Sequence, residues 1–91
     1  MTDLDPRTRR QLDVPGNIHG ALVTDIDPGS AAFEAGLRQG DVIVEVNRRG
    51  VTDANEVMKE ARSAPSGSLL LRVWGQGGSR YVVLDTTKLK R

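Results

Sequence analysis

The chain has 91 residues, 37% of them apolar and only three aromatic, enough for one domain with a small aliphatic core and too few for two. Thirteen basic residues against twelve acidic ones leave a net charge of +1, which gives no reason to expect nucleic acid or an anionic membrane as a partner. The absence of cysteine excludes a disulfide framework and a thiolate metal site, and no apolar run approaches the ~18 residues of a membrane span.

Met1 opens a polar, linker-like segment, not a signal peptide, so the reading expects a piece of a longer protein whose targeting signal lies elsewhere. Asp5-Pro6 is a helix start, because aspartate caps free amides and proline is tolerated at the first helical position. The short helix predicted over residues 7–12 carries Arg7, Arg9 and Arg10 on a solvated face, and Pro15-Gly16-Asn17 breaks the chain. Residues 20–27 read as a strand covered on both sides, with Leu22 and Ile26 on one face and Ala21 and Val23 on the other. Ser30 caps a helix over residues 31–35, Gly36 suits the left-handed position that ends it, and Leu37 folds back onto the last turn.

After a turn at residues 38–41, the β-branched run 42–46 is the most strand-like in the chain. Residues 47–50 reverse direction and Val51 re-enters the core. Asp53 with Glu56 forms a capping box for a helix to residue 63, on which Ala54, Val57, Met58 and Ala61 share a face. Residues 64–67 end that helix. Strands over 69–74 and 80–84 follow, joined by the hairpin composition Gly75-Gln76-Gly77-Gly78, and a basic tail at 86–91 is expected to fray. The expected organisation is a lead-in at 1–16, one domain at 17–85 and the tail. The class is α+β, with a small, partly open antiparallel sandwich or barrel whose uncovered edge is a template for a further strand.

Catalytic chemistry finds little support. His19 is the sole histidine, no serine lies in a nucleophile-elbow setting, and Ser30, Ser63, Ser66, Ser68 and Ser79 fall at caps or turns. One histidine with scattered carboxylates makes a poor metal site, and Asp25 and Asp27 mark a solvated strand end. The glycines at 75–78 lack the lysine and helix of a phosphate loop. The chain reads as non-catalytic, without cofactor.

Three runs, G-A-L-V-T-D-I-D-P-G-S-A-A at 20–32, A-G-L-R-Q-G-D-V-I-V-E-V-N at 35–47 and V-T-D-A-N-E-V at 51–57, together resemble a bacterial-type PDZ domain. More narrowly they are similar to the PDZ domains of the HtrA/Deg family of periplasmic serine proteases. The lead-in L-D-P-R-T-R-R-Q-L-D-V-P at 4–15 resembles that of the family's second PDZ domain, so the likeness extends over residues 4–84. It implies a PDZ fold of circularly permuted strand order, capped by two helices, that binds an extended peptide with a free carboxy terminus by strand addition.

By the same resemblance, Ile18, His19, Gly20 and Ala21 form the carboxylate loop, and the amides of His19, Gly20 and Ala21 make an anion nest. Ala21, Leu22, Val23 and Thr24 supply main-chain hydrogen bonds. Met58 faces the ligand from the second helix while Val57 and Ala61 face the core. His19 and Ala21 stand where bulkier aliphatic residues are usual, and Ala31 stands where proline is frequent. The implied function is capture of apolar carboxy-terminal segments of misfolded proteins and regulation of a periplasmic serine endopeptidase carried elsewhere in the parent chain. The implied partners are that protease domain and its neighbouring PDZ domains, with the isolated domain monomeric. The alternative is an oligomer-assembly or gating element whose groove is unused or filled by the chain itself, with the tail beyond Asp85 as the occupant.

Overall fold

The β-branched run becomes the middle of the sheet. A computed structural model describes residues 1–63, 67–75 and 78–85. In chain order the elements are β1 (Thr2–Asp3), α1 (Pro6–Gln11), β2 (Ala21–Leu22), α2 (Ala31–Ala35), β3 (Val42–Val46), β4 (Arg49–Gly50), α3 (Ala54–Ser63), β5 (Ser68–Gly75) and β6 (Gly78–Asp85). The sheet is antiparallel throughout in the order β1-β2-β3-β5-β6, with β4 turned back onto β3. It does not close: β1 and β6 are its two ends. This is the expected α+β architecture.

β3 is central because both its edges are used. Val42 and Ile43 pair with Leu22 and Ala21 on one side, and β5 runs along the other, with a register shift between Ile43 and Glu45. Glu45 and Val46 pair with Gly50 and Arg49 of β4. That hairpin turns through Asn47 and Arg48, both at positive φ (50° and 69°), the conformation of a turn whose twist matches its strands. Asn47 also bridges to β5: its amide donates to Leu70 O (2.7 Å) and its Oδ1 accepts from Leu70 N (2.8 Å).

The two-residue periodicity of the long hairpin sets the core. Leu69, Leu71 and Val73 of β5 point inward with Val82 and Leu84 of β6, and meet Ala21, Val23, Leu37, Ile43, Val46, Val51 and Val57. Each buried valine, leucine or isoleucine among them contributes roughly 1.5–3 kcal/mol by leaving water. Val14, Leu22 and Val42 are also buried but lie outside that cluster. Leu22 and Val42 are cross-strand partners on the opposite face of β2 and β3, and Thr8, Gln11 and Leu12 of the lead-in share a cavity wall with Leu22.

Local signals form the helices as expected. The Asp5 carboxylate accepts from Thr8 N (2.7 Å) at the start of α1, and that bond holds its pKa below the usual value. Ser30 Oγ accepts from Phe33 N (3.2 Å), and Gly36 at φ 112° ends α2 with Leu37 N donating to Ala32 O (3.0 Å). At α3, Asp53 Oδ1 accepts from Glu56 N (2.8 Å). The Glu56 carboxylate, however, reaches Thr52, accepting from its amide and its hydroxyl at 2.6 Å each, and these bonds lower its pKa.

Three expectations need correction. The strand predicted over 20–27 is a ladder only at Ala21–Leu22, extended by Val23 N to Asp41 O (2.8 Å) and Gly40 N to Val23 O (2.9 Å), before Asp27 starts the turn into α2. Ile26 packs against the main core and does not share the Leu22 face. The start of the chain, read as a linker, supplies strand β1. Of the break expected at 64–67 only Gly67 is among the described residues, and the frayed tail expected at 86–91 lies outside them.

Candidate functional site

β1 decides where the sheet is open. Thr2 pairs with Leu22 and Asp3 with Ala21, so β2 carries β1 on one edge and β3 on the other. The Met1 nitrogen donates to Thr24 Oγ1 (3.0 Å), which extends the contact by a residue. The edge of Ala21 and Leu22 that was expected to pair with a ligand carries β1 in the structure, and β1 is the end strand on this side of the sheet. Both β1 side chains are exposed, and the following Leu4 is half-buried.

The residues expected at the site divide accordingly. Ala21, Leu22 and Val23 are buried, and Thr24 is half-buried beneath the chain start. Gly20 is buried against β3. A Cβ added there would stand 2.8 Å from the Ile43 carbonyl carbon and 3.2 Å from Val42 Cγ1, closer still to the Ile43 oxygen. Packing against a neighbouring strand therefore demands glycine at this position. Ile18 is half-buried and His19 exposed; both line an open cleft of about 460 Å³ with Val44, Glu45, Thr52, Arg72 and Ser79. In that cleft Arg72 Nη1 donates to Glu45 Oε2 (3.4 Å).

Helix α3 stands beside β1. Val57 is buried, Ala54 and Ala61 pack against the core, and Met58 is 45% exposed. Across 51 residues of sequence, Asp3 Oδ1 accepts a hydrogen bond from the Ala54 amide at 2.8 Å. No pattern in the sequence marked Asp3; its only signal is a carboxylate two residues from a second acidic residue, Asp5.

A buried carboxylate was also missed. Asp41 is 2% exposed; its Oδ2 accepts from Arg80 Nη2 (2.7 Å) and Arg38 N (3.0 Å), while Arg80 also donates to Gly36 O (2.9 Å). The pair joins the turn before β3 to β6, and the carboxylate fills the place where a Gly75 side chain would stand. Among the described residues no cluster of histidine and carboxylates suits a metal ion, and no hydrogen bond joins His19 to a serine.

Comparisons with known proteins agree with this fold. A family model described as PDZ domain matches residues 22–75. A probable periplasmic serine endoprotease, DegP-like, from Bartonella henselae is 39% identical over 72 residues, covering 76% of this chain and 14% of that protein. A DegP-like relative from Brucella suis is 40% identical over 68 residues, covering 71% and 13%. The chain thus spans about one seventh of the length of these relatives. Among solved structures, the HtrA3 PDZ domain bound to a phage-derived ligand, FGRWV, is similar with a TM-score of 0.72 and 28% identity, over 92% of this chain and 76% of that one. Fold, motif blocks and relatives converge: this chain is a member of the PDZ domain family, homologous to the DegP-like serine endoproteases over most of its length.

Proposed function

We propose that the domain binds the extended ends of other polypeptides by adding them to the edge of β1, beside α3. It would thereby capture apolar carboxy-terminal segments of misfolded proteins for a periplasmic serine protease in the same parent chain and regulate that protease. One observation carries the reading: the sheet ends on a two-residue strand, β1, hydrogen-bonded through Asp3 to α3, a helix that exposes a large flexible apolar side chain, Met58. Thr2 and Asp3 would offer main-chain donors and acceptors, and Met58 would adapt to varied apolar termini. Ala21 and Leu22 would brace β1 from behind, with Gly20 allowing β2 to lie close to β3. The likeness to a PDZ domain with bound FGRWV supports peptide as the ligand class, and the DegP-like relatives support the protease context.

A second reading has its own observation. β1 is only two residues long, so an incoming strand could displace it and pair with Ala21 and Leu22, leaving the amides of His19, Gly20 and Ala21 to receive the carboxylate. In the structure that edge is occupied by β1, and the tail proposed as an occupant lies outside the described residues. NMR titration with FGRWV and its amidated copy separates the cases. Saturable shifts at Thr2, Asp3 and Met58, reduced by amidation, support addition to β1. Shifts centred on His19 to Thr24, with loss of the β1–β2 ladder, support displacement. No shift at millimolar peptide moves the function to oligomer assembly or gating.

A further inference from the structure

We infer that the open cleft lined by Ile18, His19, Val44, Glu45, Arg72 and Ser79 is a second binding site, separate from any edge that adds a strand. It takes an acidic side chain of a partner polypeptide on Arg72, with an apolar neighbour of that side chain against Ile18 and Val44. The inference holds whichever edge of the sheet receives an extended peptide.

The anchor is held in place by its neighbours. Arg72 stands in a cross-strand row, Glu45–Arg72–Tyr81, on the adjacent strands β3, β5 and β6. On one side Glu45 Oε2 accepts from its Nη1, and on the other its Cζ lies 5.9 Å from the centroid of the Tyr81 ring. A guanidinium flanked in this way loses little freedom when it meets a ligand. It is also far from fully engaged. The Glu45 bond is long, 3.4 Å, and is the one hydrogen bond that Arg72 makes among the described residues, so most of its N–H groups are left over. Arg80, by contrast, lies 2.7 Å from the buried Asp41 and donates to Gly36 O as well. The Arg72 side chain is 43% exposed.

The rest of the cleft matches an acidic group next to an apolar one. Asn17, His19 and Ser79 bring further donors to its walls, and their side chains make no hydrogen bond to the described residues. Ile18 and Val44 are half-buried and Val51 is buried, which gives the cleft an apolar side. Glu45 is the one carboxylate among the lining residues, and it is turned to Arg72. A planar carboxylate meets a guanidinium through two parallel hydrogen bonds, the strongest polar contact these side chains offer. Because the cleft is open, it covers one face of its occupant. That suits a side chain presented by a larger body, whereas a small free acid needs most of its surface buried. Glu45 has two effects here: it orients Arg72, and its charge opposes the incoming one.

The test is an NMR titration of the 91-residue chain with acetyl-Leu-Glu-Leu-amide and with its glutamine copy. Both are blocked at each end, so neither has a terminal carboxylate. Saturable shifts are expected at His19, Val44, Arg72 and Ser79, with affinity about tenfold higher for the glutamate peptide. Arg72→Gln should abolish that preference. Glu45→Gln removes the opposing charge and keeps an acceptor for Arg72. It should strengthen binding of the glutamate peptide several-fold and leave the glutamine copy unchanged, which a merely structural ion pair would not do. Equal affinity for the two peptides, a preference that survives Arg72→Gln, shifts confined to Thr2, Asp3 and Met58, or no shift at millimolar peptide overturns the inference. None of these results refutes strand addition, which the FGRWV titration tests by itself.

Discussion

Replacing Gly20 by alanine separates a packing role from a ligand role. The new methyl would sit 2.8 Å from the carbonyl carbon of Ile43 and 3.2 Å from Val42 Cγ1, with the Ile43 oxygen nearer still. Two of those three atoms are backbone of β3, the central strand, and cannot rotate away. Overpacking of this kind costs about 1–3 kcal/mol, and an immovable neighbour places Gly20→Ala at the top of that range, about 3 kcal/mol. A domain of this size has roughly 5–10 kcal/mol in all. With a urea slope of about 1.5 kcal/mol/M, the midpoint falls by about 2 M. The assay is urea unfolding without peptide, followed by fluorescence of the sole tryptophan, Trp74. Gly16→Ala is the control, because a methyl there meets nothing within 4 Å. If Gly20→Ala proves as stable as Gly16→Ala yet loses peptide binding, the packing argument is refuted and Gly20 belongs to a carboxylate loop.

Asp41→Ala strands the Arg38 amide and half of the Arg80 contacts; because Arg80 stays partly solvated and keeps Gly36 O, the loss should be about 2–3 kcal/mol, read as a lowered Tm. The folded-state pKa values of Glu56 and Asp5 lie below their ordinary ones, so their stabilisation is present above the unfolded values and lost as pH falls through the folded ones. Urea midpoints taken from about pH 6 down to about pH 3 should fall, and Glu56→Gln should flatten part of that slope. Met58→Ala should change stability by no more than about 0.5 kcal/mol, since the side chain is nearly half exposed, while FGRWV affinity drops several-fold in titration.

What the sequence disclosed was whatever is local. The Ser30 cap and Gly36 stop bound α2, the β-branched run makes β3, and the alternation of 69–74 with 80–84 makes the hairpin, each within a few residues. β1 was illegible for the opposite reason. Two polar residues carry no periodicity, and their partners lie about twenty residues away at Ala21 and Leu22 and 51 away at Ala54. Without β1, the sequence left the outer edge of Ala21 and Leu22 without its pairing partner in this chain. Apolar residues on both faces of 20–27 did announce that β2 is covered above and below, but say nothing of what flanks it edge-on. Asp41 was read as a turn residue because its partner, Arg80, is 39 positions downstream. Family resemblance supplied the peptide-binding class; the position of the edge came from the pairing register.

The outer pair Leu22 and Val42 has a consequence for handling the protein. These two aliphatic side chains lie outside the main core cluster, and Thr8, Gln11 and Leu12 of the lead-in line a cavity with Leu22. A chain cut at residue 17 would keep every member of the main core yet bare this strip, together with the hydrogen-bonding edge of β2 that β1 now covers. Exposed aliphatic surface beside an unpaired strand is what drives like chains to stack on one another. Such a fragment is expected to clump while still folded, which would make residues 1–16 a cover for the β2 edge and for Leu22.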